Sequence, residues 1–151
     1  MNMLLNDVFA KQSINIHLES KTKDEAFKEL IENIASIRGE FSFNTMLEAV
    51  LERENKMSTS IAPGVAIPHG YYPGTDSIFG AIGVSESGID YGAPNQKPVY
   101  CIFLIIMGES AREKHLRVLT SIMSFINSGG LNIMRKAQSP EEIYKIMSHI
   151  N

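Results

Sequence analysis

The chain contains a single cysteine, Cys101, so no disulfide can close within it. That residue lies inside the apolar run Val99–Met107, where a thiol behaves as a small hydrophobic side chain. The run is nine residues long, whereas a membrane-crossing helix takes about 20. Met1–Ala10 has no basic stretch followed by an apolar one, so no secretory leader is expected and a cytoplasmic location follows as the default. Basic charge is not in excess either: 14 Lys and Arg stand against 17 Asp and Glu, for a formal net charge of −3. Without a basic stripe interleaved with aromatics, nucleic-acid binding is not expected as the main role. Repeats, linkers and low-complexity segments are also missing. The 151 residues fit one domain, large enough to bury a core without disulfides or a structural metal.

What is present is patterned hydrophobicity. Ser13–Leu18 alternates Ile14, Ile16 and Leu18 with polar residues, as a half-buried strand does. Thr22-Lys23-Asp24-Glu25 is a capping box, and the helix it opens carries Ala26, Phe27, Leu30, Ile31, Ile34 and Ile37 on one face before Gly39. A second amphipathic helix carries Phe43, Met46, Leu47, Val50 and Leu51 and is expected to end near Arg53-Glu54. Five of the six prolines and most of the glycines fall within residues 57–108, between short apolar runs. Strands are expected at Val65–Ile67, Ile78–Val84, Ile89–Tyr91 and Tyr100–Met107. The last is apolar on both alternating faces and should be a central strand covered on both sides. Ser110-x-x-Glu113 reads as another capping box, opening a helix with Leu116, Leu119, Ile122, Met123 and Ile126 that closes at Ser128-Gly129-Gly130. Ser139-Pro140-Glu141-Glu142 opens a last helix burying Ile143, Ile146, Met147 and Ile150, with proline at the first helical position. The expected fold is one α/β domain over residues 1–151, with helices on both faces of a central sheet.

Histidine alone titrates near neutral pH when unperturbed, so the four histidines are the first candidates for chemistry. His17 alternates with strand residues that face the core, and His149 lies two residues from the C-terminus; both read as solvated. His69 stands where the strand Val65-Ala66-Ile67-Pro68 ends, beside Gly70. It is either a strand-terminating residue bonded to a loop or an imidazole presented to a macromolecule. His115 sits in the early turns of the third helix, at the edge of its buried stripe, where a helix N-terminus lowers a cation's proton affinity and attracts anions. Arg53 belongs to the charged triplet Glu52-Arg53-Glu54 but precedes the hydroxyl-rich Ser58-Thr59-Ser60. A guanidinium fork suits a doubly charged phosphate. Together the set makes sense for phosphoryl transfer: His69 as nucleophile, His115 and Arg53 as donors to the phosphoryl oxygens, Thr59 as helper. A metal-dependent hydrolase using His69, His115 and a carboxylate such as Asp90 is a further reading, against which no HExxH or other paired-ligand spacing is present.

Arg53-Glu54, Ser58-Thr59 and Gly64-Val65-Ala66-Ile67-Pro68-His69-Gly70 resemble the active-site signature of the mannitol/fructose-type enzyme IIA domain of bacterial sugar phosphotransferase systems. Gly88-Ile89-Asp90-Tyr91, Lys97-Pro98-Val99 and His115-Leu116-Arg117-Val118-Leu119 resemble the family too, so that the likeness runs from Leu4 to the final helix. The resemblance implies a mixed sheet flanked by helices and a site in a shallow depression. It implies that His69 takes a phosphoryl group from the carrier HPr or a nitrogen-type paralogue and passes it to an enzyme IIB. His115 and Arg53 match the family's second histidine and its arginine. No metal or organic cofactor is implied, and no membrane insertion. A nitrogen-type regulatory IIA, whose phosphorylation state controls binding to target proteins without sugar uptake, is the alternative. Two features depart from the pattern. Ser60 replaces a common glycine, and Tyr71-Tyr72-Pro73-Gly74 replaces a short, often basic segment.

Overall fold

A computed structural model describes residues 5–150; Met1–Leu4, where the expected leader-free terminus and the family resemblance begin, and Asn151 lie outside the described residues. Among the described residues six helices and five strands follow one another as α1 (Leu5–Val8), β1 (Phe9–Asn15), α2 (Lys23–Ile37), α3 (Phe43–Lys56), β2 (Val65–Ala66), β3 (His69–Tyr72), β4 (Ile78–Ile89), β5 (Val99–Gly108), α4 (Arg112–Asn127), α5 (Gly130–Lys136) and α6 (Pro140–Met147). The sheet is mixed. β4 lies between β1, to which it is parallel, and β5, to which it is antiparallel. On the other edge of β5 lie β2 and then β3, end to end and both parallel to it.

β5 is the centre, as its sequence requires. Cys101, Phe103, Ile105 and Met107 enter one core, while Val99, Ile102, Leu104 and Ile106 enter the other. The first core is closed by Val118, Ile122, Met134, Ile143 and Met147 from α4, α5 and α6. The second is closed by Phe27, Leu30, Ile31, Met46 and Val50 from α2 and α3. From Cys101 onward, period-two side-chain alternation divides the apolar residues of the strand between two layers; Val99 precedes the register shift in the β4–β5 pairing.

The Thr22 capping box forms in full, with Thr22 accepting from Glu25 N–H and Glu25 accepting from Thr22 N–H. Ser139 caps α6 with Pro140 in its first turn. Other boundaries moved. β1 starts four residues before the expected Ser13 and stops at Asn15, whose side chain accepts the His17 N–H at 2.8 Å and turns the chain. The segments expected as Ile78–Val84 and Ile89–Tyr91 form one strand, β4, with a register shift between Val84 and Ile89. Helix α3 continues past Arg53-Glu54 to Lys56. The Ser110 box does not form: the Ala111 N–H bonds to Gly108 O at 3.1 Å in a tight turn, Ala111 becomes the cap, and Glu113 pairs with Arg117. The closure expected at Ser128–Gly130 holds, with Gly129 at φ +92°, but α5 starts directly after it.

β3 is the change that matters most. His69 does not end a strand; it begins one. Pro68 has no N–H to offer β5, so strand geometry lapses after Ala66, although Pro68 O still accepts from Ile105 N–H at 2.9 Å. Pairing resumes at His69 opposite Ile105. Helix α3 lies against β3 because Gly70 has no side chain: a Cβ there would come within 2.7 Å of the Ala49 backbone. Gly70→Ala should therefore push α3 and Arg53 away from His69 and destabilise the chain by about 1–3 kcal/mol. Leu104→Ala, at a fully buried central position, should cost about 2–5 kcal/mol. Urea denaturation of both variants against the parent checks these values.

Candidate active site

β3 fixes His69 by its backbone, and the preceding residues fix its ring. Nδ1 lies 3.0 Å from the carbonyl oxygen of Ile67. A carbonyl only accepts, so Nδ1 carries the proton and donates it. Nε2 of the neutral ring is left with a free lone pair. Strand alternation puts His69 and Tyr71 on one side of β3, and Gly70 and Tyr72 on the side of α3. Tyr72 accordingly packs on Phe41 with ring centroids 5.0 Å apart and accepts the Ser42 N–H at 2.9 Å. Tyr71 faces the other way and stands edge-on to His115, its ring centroid 6.5 Å distant. The two unexpected tyrosines thus divide between the core edge and the site.

β5 runs through a short turn into α4, and this delivers His115. Its ring lies 5.0 Å from that of His69, tilted by 48°. His115 is only 6% exposed, and its Nδ1 is buried without a hydrogen-bond partner. An unpaired buried N–H costs more than an unpaired lone pair, which places the proton of the neutral ring on Nε2. Burial, the neighbouring His69 and Arg53 together push the His115 pKa down to about 4. His69 is also lowered, by burial first and by Arg53 further, against the Ile67 carbonyl and Glu54, which favour its charged form.

Arg53 lies in the last turn of α3. Its Nη1 donates to the carbonyl of Met57 at 2.7 Å, which anchors the guanidinium at the helix end while its charge acts on both imidazoles. The structure therefore brings His69, His115 and Arg53 together. Thr59 is placed differently from the expected helper: it is 2% exposed and its hydroxyl donates to Glu54 at 2.6 Å. Its one proton is committed to the protein.

Glu54 is the residue that sequence reasoning passed over as part of a solvated triplet. Its carboxylate is buried and accepts from Thr59 N–H at 3.1 Å and from Tyr91 OH at 3.3 Å, with Lys23 Nζ at 3.7 Å. The Tyr91 phenol is pushed well above its usual range by burial and by Glu54. Helical spacing held the signal, because Met46, Val50 and Glu54 repeat every four residues along the buried face of α3. His17 and His149 are exposed and stand apart from this cluster. Cys101 is fully buried in β5, and burial pushes its thiol far up. Asp90 is exposed, and its backbone bonds to Lys21 and Lys23. Among the described residues no group of three or more His, Cys, Asp or Glu stands close enough to hold a metal ion.

A histidine whose folded pKa is lowered stabilises the fold fully above its unfolded pKa and loses that contribution as pH falls through the folded value. For His115 the window runs from 6.5 down to about 4, and the loss amounts to about 3 kcal/mol. His115→Asn should flatten this part of the stability curve. Denaturant midpoints of parent and variant at pH 7.5 and pH 4.5 give the difference.

Comparison with known proteins bears on the whole chain. A nitrogen regulatory protein of Bradyrhizobium diazoefficiens is 29% identical over 147 residues, covering 97% of this chain and 95% of that protein. The fructose-specific EIIABC component of Bacillus subtilis is 28% identical over 124 residues, 82% of this chain but 20% of that longer protein. The crystal structure of the nitrogen regulatory protein IIA-Ntr from Neisseria meningitidis superimposes with a TM-score of 0.87 at 26% identity, covering 95% of this chain and 98% of that one. The model of the phosphoenolpyruvate-dependent sugar phosphotransferase system EIIA 2 family matches residues 7–150, and the chain belongs to that family.

Proposed function

We propose that this phosphotransferase component is a phosphoryl carrier whose acceptor is Nε2 of His69. The observation that carries the reading is the locked ring: Nδ1 is held by the Ile67 carbonyl, so the nucleophilic lone pair sits on the other nitrogen, with His115 and Arg53 beside it. In the transfer, the Nε2 lone pair forms a bond to phosphorus as the phosphorus–nitrogen bond of the donor's phosphohistidine breaks. The departing imidazole keeps the bonding electrons. No proton need leave His69, because Nε2 carries none. The reverse exchange, onto a cysteine or histidine of the acceptor, restores the neutral ring.

The surroundings suit a dianion. Two imidazoles and a guanidinium crowd together: Arg53 disfavours a proton on either imidazole, and His69 disfavours one on His115. A phosphoryl group on Nε2 relieves that repulsion. His115 then offers its Nε2–H, and Arg53 its remaining N–H groups, to the equatorial oxygens. The negative charge raises the proton affinity of His115, so the donor strengthens as the charge arrives.

A macromolecular donor and acceptor suit the rim. Met57, Tyr71 and Leu116 are exposed large hydrophobic residues; Met57 accepts from Arg53, Tyr71 stands edge-on to His115, and Leu116 follows His115 in the chain. The donor in this reading is HPr or its nitrogen-type paralogue. The acceptor is an enzyme IIB in sugar uptake, or the phosphorylation state of His69 governs binding to regulated target proteins. Relatives of both kinds are similar to this chain over most of its length.

Incubation with phosphoenolpyruvate, enzyme I and HPr, in parallel with the nitrogen-type enzyme I and carrier, should label the parent chain and not His69→Ala. Retained labelling in the variant would sink the assignment of His69, and the donor pair that labels faster separates uptake from regulation. His115→Ala should still accept the group but pass it on roughly 10²-fold more slowly. Arg53→Lys should also be slower, because a point charge replaces a fork; rapid-quench transfer rates equal to the parent's would refute both roles.

A further inference from the structure

A buried carboxylate with several polar partners lies outside the phosphoryl chemistry just described. Glu54 holds four partners, from three separate parts of the chain. Its Oε1 accepts from Thr59 Oγ1 at 2.6 Å and Tyr91 OH at 3.3 Å, its Oε2 accepts from Thr59 N–H at 3.1 Å, and Lys23 Nζ lies 3.7 Å away. Thr59 Oγ1 and Tyr91 OH are themselves 2.7 Å apart, and Lys23 rests over the Tyr91 ring at 5.5 Å. A carboxylate with a side chain 1% exposed would be a heavy burden on the fold without such partners. The question is what this cluster holds in place.

The hydrogen bonds lead from Glu54 to the nucleophile without a gap. Thr59 is gripped at both N–H and hydroxyl by Glu54. The Thr59 carbonyl accepts the Ile67 N–H at 3.0 Å, and the Ile67 carbonyl accepts from His69 Nδ1 at 3.0 Å. The same 57–59 segment takes the Arg53 guanidinium through the Met57 carbonyl. We propose that Glu54 is the positioning residue of this site: by clamping the Met57–Thr59 segment it sets the Ile67 carbonyl that selects the His69 tautomer and the Met57 carbonyl that anchors Arg53. It touches neither the phosphoryl group nor Nε2. Tyr91, just past the end of β4, and Lys23, at the start of α2, hold the carboxylate from two other parts of the chain.

Charge acts alongside geometry. His69 is faced by Arg53 and Glu54 from α3, by His115 from α4 and by the Ile67 carbonyl. Burial and Arg53 disfavour the protonated ring, and Glu54 works against them. Removing the carboxylate charge therefore lowers the His69 pKa.

The role rests on the carrier reading above, but the linkage can be read on the unphosphorylated chain. In the ¹⁵N-labelled full chain, the imidazole nitrogens of His69, assigned with His69→Ala, should report one neutral tautomer, protonated at Nδ1. In Glu54→Gln the two neutral tautomers should mix, the His69 titration should shift to lower pH, and the rate of phosphoryl acceptance should fall by roughly tenfold to a hundredfold. Thr59→Val should mix the tautomers as well, and Thr59→Ser should restore the parent spectrum. A folded Glu54→Gln or Thr59→Val with the parent's tautomer and titration would overturn the proposal, leaving Glu54 a structural residue. Should Glu54→Gln fail to fold, the near-isosteric Thr59→Val and its serine rescue carry the same test. A parent chain that takes no label yet shows the tautomer linkage would refute the carrier reading while upholding the clamp.

Discussion

Burial of β5 on both faces is the constraint from which the rest of the molecule follows. A strand with every second residue in one core and the remainder in another needs neighbours on both edges and helices on both sides. β4 supplies one edge, β2 and β3 the other. The parallel pairing of β3 carries His69 to the C-terminal half of β5, opposite Ile105. β5 then turns at Gly108 into α4, which starts with His115 in its second turn. Two histidines separated by 46 residues in sequence therefore meet at one end of one strand.

The resulting cluster is electrostatically uncomfortable by itself. Arg53 and two half-buried or buried imidazoles share a small volume, and both rings respond by holding fewer protons. Such a site disfavours further protonation of its imidazoles and suits an anion. Glu54, held beside Arg53 and one turn of helix past Val50, offsets part of the positive charge acting on His69. The site is thus a balance between a fixed buried carboxylate and a guanidinium adjacent to it in sequence.

Local sequence signals succeeded where no tertiary turn overrode them. Thr22 and Glu25 lie three residues apart and cap α2 by reciprocal bonds that need no other part of the chain. The all-apolar Val99–Met107 announced a doubly covered strand because no other environment suits it. Ser110 and Glu113 have the same spacing as a capping box and do not form one, because the turn out of β5 starts at Gly108 and makes Ala111 the cap. β3 escaped notice because His-Gly-Tyr-Tyr has none of the aliphatic alternation of a strand; it pairs because β5 offers an edge there. Glu54 read as solvated because its partners Lys23 and Tyr91 lie 31 and 37 residues away.

From the sequence alone came the α2 and α6 helices with their caps and the central strand, which rest on periodicity and local motifs, and the residues His69, His115 and Arg53 as one set, which rests on phosphoryl chemistry and on the family resemblance. Only the tertiary structure decided which nitrogen of His69 is free, that the Thr59 hydroxyl is turned away to Glu54, and that Tyr71 and Tyr72 part company across β3. The reason is physical. A tautomer or a buried charge is determined by the atoms within hydrogen-bond reach, and here those atoms come from segments that meet only when the sheet closes.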